Sequence, residues 1–385
     1  MQIATLAQMG VTAVLAATLP LSMVWMSADA NKYRKLVWVG VFLTFDLIVF
    51  GAFTRLSDSG LGCPDWPGCY GLANPILALD AISSAQALRP SGPVTLLKAW
   101  IEMTHRYLAM GIAVLIVTIM AQAWRRWGQS RRPEFSPWLP TALFFFVCLQ
   151  GAFGAWTVTM KLQPVIVTIH LLLGMCLLAS LAWLGGRQDN AVTPLTGAGC
   201  TAPAMRRMRL LAALAALLLL IQIALGGWVS TNYAALACGD FPLCDGKLVP
   251  AMDFGQGFTV WRALGETASG QYLPFSALTA IHWMHRSFAL VLFAGIGYTA
   301  YCARAHPSLR LTGGRIALAL LLQAGTGIAT ISLNYPLPIA VLHNAGAALL
   351  VVLLTMLNYR AKFHFEFARA TSGTSRLSSP ARHQP

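Results

Sequence analysis

The residues with the most chemistry to offer are four histidines set in apolar sequence: His105, His170, His285 and His343. An ionisable side chain in a bilayer-spanning segment is costly to bury and is a functional candidate by default. His105 and His170 lie about seven and six residues into their segments, roughly 10 Å below one membrane boundary at a helical rise of about 1.5 Å per residue. His285 and His343 lie at similar depth. Two imidazoles at one depth on two helices suit the two axial positions of a haem iron, for which histidine nitrogen is a standard ligand. A structural histidine bonded to a neighbouring helix is the alternative for any one of the four, and it weakens once the four are seen as two matched pairs. A zinc or copper centre would need a third protein ligand at the same depth, and none is evident. His306, His364 and His383 fall in hydrophilic connections or the tail and read as surface residues.

The neighbours of these histidines differ between the pairs. Glu102 precedes His105 by three residues and His282 precedes His285 by three, so each lies on its ligand's face, one helical turn away. One pair therefore has a carboxyl group beside it and the other an imidazole. That asymmetry assigns chemistry to the first pair and storage or relay of electrons to the second. The alternative for Glu102 is an ion pair with Arg106 across one turn. Arg106 and Arg286 follow the ligands directly. They either grip haem propionates, which the guanidinium fork suits, or snorkel to the headgroups.

Cys63 and Cys69 form one Cys-x5-Cys pair and Cys238 and Cys244 another, each in a long connection between apolar segments. In an oxidising compartment each pair closes a small disulfide ring, with an Asp, an aromatic residue and a Pro between the cysteines to make a tight turn. A redox or haem-handling role is the alternative. Cys148, Cys176 and Cys302 lie within apolar runs and read as inert small hydrophobes, and Cys200 as a reduced thiol in a connection.

The elements that must position these groups are membrane helices. The 385 residues are 57% hydrophobic and only 10% charged, with mean hydropathy +0.62. About 20 apolar helical residues cross a bilayer core, and the runs lack the alternation of barrel strands. Nine segments qualify, near 4–27, 36–54, 98–123, 138–159, 164–184, 209–231, 277–302, 314–333 and 337–358. The net charge of +14 does not mark a nucleic-acid binder, because the basic residues sit in short connections. Lys32, Arg34 and Lys35, Arg125 to Arg132, Arg187 to Arg209, Arg304 to Arg315 and the tail all fall on one side of a single threading, the cytoplasmic side. The cysteine loops, near 55–97 and 232–276, fall on the other. Residues 1–31 read as an extra, uncleaved helix: no Lys or Arg precedes it, and cleavage after Ala28-Asp29-Ala30 would require Lys32, Arg34 and Lys35 to move outward.

The chain also repeats itself. GAFTRLSDSGLGCPDWPGCYG at 51–71 aligns with GGWVSTNYAALACGDFPLCDG at 226–246, at a shift of 175 that superposes Gly51 on Gly226, Cys63 on Cys238 and Cys69 on Cys244. Glu102-Met-Thr-His105-Arg106 faces His282-Trp-Met-His285-Arg286. Gln150, Gly154, Thr157 and His170 match Gln323, Gly327, Thr330 and His343 at a shift of 173. Four spans per half return the chain to its starting side, so the halves share an orientation and a pseudo-two-fold axis runs along the membrane normal. The expected fold is all-α and polytopic: an extra apolar segment at 1–31, a four-helix half at 32–186, a cytoplasmic linker at 187–208, a second four-helix half at 209–360 and a disordered cytoplasmic tail at 361–385. Each half is a bundle able to hold a cofactor between facing helices.

The blocks just quoted, with LQGAFGAWTVTMKLQPVIVTIHLLLG, HWMHR and IAVLHNAGAALL, resemble the bacterial haem A synthase family in order and spacing over residues 36–358. The resemblance implies an eight-helix enzyme of the bacterial inner membrane that converts the C8 methyl of haem O to the formyl of haem A by successive hydroxylations, for terminal oxidases. It implies that His105 and His170 hold the substrate haem, that His285 and His343 ligate a haem b cofactor, and that Glu102 is functionally important, handling protons or stabilising positive charge during oxidation. It pairs Cys63 with Cys69 and Cys238 with Cys244. The expected partners are haem O, the haem O synthase (protohaem farnesyltransferase) that supplies it, membrane lipid, an electron acceptor of unknown identity and a second copy of the chain. Competing classes are a dihaem b-type electron carrier, which explains the histidines but not Glu102 or the cysteine loops, a quinone-linked thiol oxidoreductase, which leaves the histidines purposeless, and a haem exporter.

Overall fold

The computed structural model describes residues 2–192 and 201–377, and all its long elements are helices. In chain order they are α1 (Gln2–Trp25), α2 (Lys32–Leu56), α3 (Leu79–Leu88), α4 (Leu96–Ser130), α5 (Trp138–Thr159), α6 (Pro164–Val192), α7 (Ala202–Thr231), α8 (Phe254–Gly257), α9 (Phe275–Arg304), α10 (Arg310–Ser332) and α11 (Leu337–Leu377). Nine of the described helices are long and apolar enough to cross a bilayer. Their starts are locally encoded. The Asn31 side chain accepts the Arg34 N–H at 3.1 Å and the Thr95 hydroxyl accepts the Lys98 N–H at 3.2 Å, each satisfying a first-turn donor. Prolines precede α5, α9 and α11, at Pro137, Pro274 and Pro336.

Helices α2, α4, α5 and α6 pack as a closed ring in which α2 touches α4 and α6, and α5 touches the same two. Helices α7, α9, α10 and α11 close a second ring in the same cyclic order. The rings meet through α6 against α7, α11 against α2 and α6 against α11. Exchanging the halves turns the first contact into the second and the third into itself, as a two-fold relation requires. At one end of this interface Arg55 donates to the Ser230 carbonyl at 2.6 Å, and Tyr233 donates its phenolic hydrogen to Asp58 at 2.7 Å. Both contacts join positions 175 apart, which are repeat-related positions, so the axis passes between them.

The hairpins α5–α6 and α10–α11 are copies. Lys161 and Leu162 adopt positive φ, and so do Asn334 and Tyr335. The Leu162 N–H reaches the Thr157 carbonyl at 2.8 Å, and the Tyr335 N–H reaches the Thr330 carbonyl at 2.7 Å. These tight reversals fix the register of each histidine-bearing helix against its predecessor.

Several boundaries differ from the sequence reading. Helices α6 and α7 extend into the expected linker, because Gln188 is fully buried, donating to the Glu134 carbonyl at 2.6 Å, and Met205 and Met208 are buried on the far side. Helix α11 runs to Leu377, so residues 361–377 are helical where disorder was expected. Ala361, His364 and Ala368 form a buried stripe there, and Arg209 of α7 lies over Phe365. His364 is therefore a buried residue, not a surface one. Residues 193–200, with Cys200, and 378–385, with Arg382 and His383, lie outside the described residues.

Helix α1 packs along α4 and has no counterpart in the second half. Gly111 of α4 allows the approach: a Cβ there would meet the Ala16 methyl at 3.2 Å. Gly111→Leu should push α1 off α4 and cost about 1–3 kcal/mol, the usual range for overpacking, read as a lower unfolding temperature in detergent.

Candidate functional site

His105 sits on α4 and His170 on α6, helices diagonal to one another in the first ring; His285 on α9 and His343 on α11 are diagonal in the second. All four are half-buried.

Each imidazole is seated on a glycine of an adjacent helix. A Cβ on Gly51 of α2 would lie 2.9 Å from His105, and one on Gly154 of α5 would lie 3.2 Å from His170. The second ring repeats this, with Gly226 of α7 at 2.9 Å from His285 and Gly327 of α10 at 3.0 Å from His343. Any other residue at these positions would collide with the ring or turn it. Sequence reading aligned these glycines as repeat markers without assigning them a role; their recurrence beside each histidine block was the available signal.

Glu102 and the two arginines act on the loops. Glu102 is buried, accepts the Cys63 N–H at 2.7 Å and forms an ion pair with Arg106 at 2.5 Å. Arg106 also donates to the carbonyls of Asp65 and Pro67 at 2.9 and 3.1 Å, and to that of Gly68. Arg286 does the same to Asp240, Pro242 and Leu243, at 2.9, 3.3 and 3.0 Å. Both guanidiniums clamp a cysteine loop to the helix that carries a histidine, a contact that the sequence reading did not name beside propionate binding and snorkelling. Arg286 differs in one respect, since its Nη1 is buried without a partner, as is Nδ1 of His282, which stands where Glu102 stands in the first half.

The loops are duplicated in detail. Disulfides join Cys63 to Cys69 and Cys238 to Cys244. Asp65 accepts the N–H groups of Tyr70 and Gly71 at 2.7 and 2.6 Å; Asp240 accepts those of Asp245 and Gly246 at 2.7 and 3.0 Å. Gly71 and Gly246 both take φ of 72°, where a side chain would be strained. Cys148, Cys176 and Cys302 are free thiols.

The donor set and its surroundings fit haem. The imidazoles come in pairs on diagonal helices, each packed against a glycine, and Nδ1 of His170 is buried without a hydrogen-bond partner. Among the described residues no three His, Cys, Asp or Glu side chains gather as a metal site.

Fold and site together define a duplicated, multi-pass membrane protein with one pair of opposed imidazoles per bundle. The sequence profile of the cytochrome oxidase assembly protein family matches residues 34–355, and the chain belongs to that family. It is 37% identical to a haem A synthase of Shewanella oneidensis over 330 residues, covering 84% of this chain and 96% of the relative. It is 29% identical to a haem A synthase of Rhizobium rhizogenes over 368 residues, covering 89% and 93%, and 28% identical to one of Sinorhizobium fredii over 347 residues, covering 84% and 88%.

Two outcomes follow from the loop contacts. Glu102→Leu strands a buried Arg106 charge at a cost of about 3–5 kcal/mol, and the Cys63–Cys69 disulfide should then be reduced and alkylated faster than Cys238–Cys244. The backbone N–H groups of Gly246 and Asp245 hold the Asp240 carboxyl below the ordinary value of 3.8. A depressed folded-state value means the Asp240 contribution is complete above that ordinary value and is lost as pH falls through the folded one. Protease cutting of the 238–246 loop should accordingly rise only at pH below about 4, and Asp240→Asn should show raised cutting at neutral pH.

Proposed function

We infer that this protein is an oxidoreductase that converts haem O to haem A, oxidising the C8 methyl to a formyl group by successive hydroxylations, in the assembly of cytochrome oxidase. The observation that carries the reading is the pair of imidazoles in each bundle, opposed across diagonal helices and seated on glycines, in a member of the cytochrome oxidase assembly protein family.

In this reading His105 and His170 grip the substrate haem from opposite helices. Ligation by both side chains would hold the substrate between the two helices and lower the entropic part of the barrier. Glu102 keeps a carboxylate one turn from His105 and ties it to Arg106 and the Cys63 N–H, so a proton held there is coupled to the outer loop. His285 and His343 hold a haem b cofactor, which supplies one-electron redox chemistry when bound. Arg286, with Nη1 uncommitted, is the arginine placed for a propionate; Arg106 has its Nη groups engaged. The disulfide loops cover the outer ends of the bundles and exclude water from them.

The setting is the bacterial inner membrane, with the disulfide loops on the periplasmic side and the C-terminal end of α11 in the cytoplasm, as the distribution of Lys and Arg indicates. The partners are haem O and the membrane farnesyltransferase that makes it, together with an electron acceptor and a second copy of the chain.

The test is expression with a source of haem O, followed by chromatography and mass spectrometry of the extracted pigments. The full chain should yield haem A and its hydroxylated precursor. Glu102→Gln should retain haem while haem A output falls about 10²-fold or more, the scale of losing a proton-transfer group. Recovery of haem b alone from the unaltered chain would instead make it a dihaem electron carrier.

A further inference from the structure

We propose that Thr326 is a positioning residue that locks the His343 imidazole of the second bundle, and that its apolar counterpart Phe153 leaves the His170 imidazole of the first bundle unlocked so that its haem can depart. The proposal rests on the reading above, in which the first bundle holds a haem that is consumed and released and the second a haem that stays.

The Thr326 hydroxyl lies between two partners, the Gln323 carbonyl at 3.1 Å and Nδ1 of His343 at 3.1 Å. Donating to the carbonyl leaves its oxygen free to accept from an Nδ1–H, the tautomer that keeps the Nε2 lone pair for a ligand. The Gln323 amide, 3.3 Å from Nε2, is the donor that meets that lone pair. An imidazole whose Nδ1–H is held by an oxygen is fixed in orientation and made more basic at the ligating nitrogen.

The first bundle keeps the frame and omits these groups. At the shift of 173, Thr326 corresponds to Phe153, whose ring packs on Trp156 with centroids 5.0 Å apart. Gln150, the counterpart of Gln323, donates to the His170 carbonyl at 3.0 Å and not to the ring. Nδ1 of His170 is left buried and bare. Nothing polar on the neighbouring helices fixes the tautomer or the angle of this imidazole. A ligand pair of that kind binds iron less tightly and lets it go sooner, which suits a substrate site, while the locked pair suits a resident cofactor. Greater ligand basicity also favours ferric over ferrous iron, so the second haem should have the lower reduction potential of the two for equal porphyrins.

The test uses the full-length protein, purified with haem, in an H105A background so that the second bundle alone is read. Midpoint potential is followed by optical redox titration, and haem loss by transfer to an excess of apomyoglobin. Thr326→Val should raise the potential and speed haem loss about 10–100-fold, the usual cost of removing a ligand's outer partner, and Thr326→Ser should restore both. In the otherwise unaltered chain, Phe153→Thr should slow haem loss from the first bundle about tenfold. Potential and loss rate unchanged in Thr326→Val, with haem still bound, would overturn the proposal, as would Phe153→Thr without effect on release. Retention of the Soret band after H170A, H285A and H343A are all added to H105A would instead refute the underlying assignment of haem to these histidines.

Discussion

One steric requirement recurs four times in this protein: an imidazole must fit between its own helix and the neighbouring one. Packed helices stand about 8–10 Å apart, which leaves little room between backbones for a ring. The absent side chains of Gly51, Gly154, Gly226 and Gly327 make the space, with projected Cβ distances of 2.9 to 3.2 Å to the four rings. Ring depth, helix register and hairpin geometry all serve that fit. The positive-φ turns at Lys161–Leu162 and Asn334–Tyr335 reverse the chain in a fixed number of residues, which is how a glycine on one arm meets a histidine on the other.

Around this frame the two halves are conservative in their scaffolding and divergent in their polar groups. Each arginine after a ligand clamps three loop carbonyls, and each loop is closed by a disulfide and an aspartate that accepts two backbone N–H groups. Among the positions at which they differ are two beside the ligands and the clamp, Glu102 against His282 and Phe153 against Thr326. The halves meet where Arg55 and Asp58 contact Ser230 and Tyr233, their own repeat equivalents, so the interface between cages is built around the axis that relates them.

Much of this was legible in the residues. Nine spans, the repeat and the four histidines come from hydropathy and self-similarity, since a bilayer forces backbone hydrogen bonds inside each helix and makes apolar length nearly equivalent to a span. The membrane ends were less legible. Hydropathy stops at Arg360, but α11 continues because the stripe of Ala361, His364 and Ala368 finds a partner in α7, and a partner is not a property of local sequence. The same limit hid the burial of His364 and the helical extensions at 187–192 and 202–208. Charge placement beside a ligand suggested propionate binding for Arg106 and Arg286, whereas the loop carbonyls that occupy them come from residues about 40 positions away in the chain.

The sequence by itself determined that this is a duplicated helical membrane protein with an imidazole pair and a cysteine pair in each half, because those facts rest on residue type, apolar length and a repeat that needs no third dimension. Tertiary structure alone decided which glycine seats which ring, that Glu102 and Arg106 hold a loop, and that Thr326 meets His343 while Phe153 leaves His170 bare. Those are contacts between helices, set by rotation about each helix axis and by the sub-ångström approach of neighbours, and a one-dimensional pattern carries neither quantity.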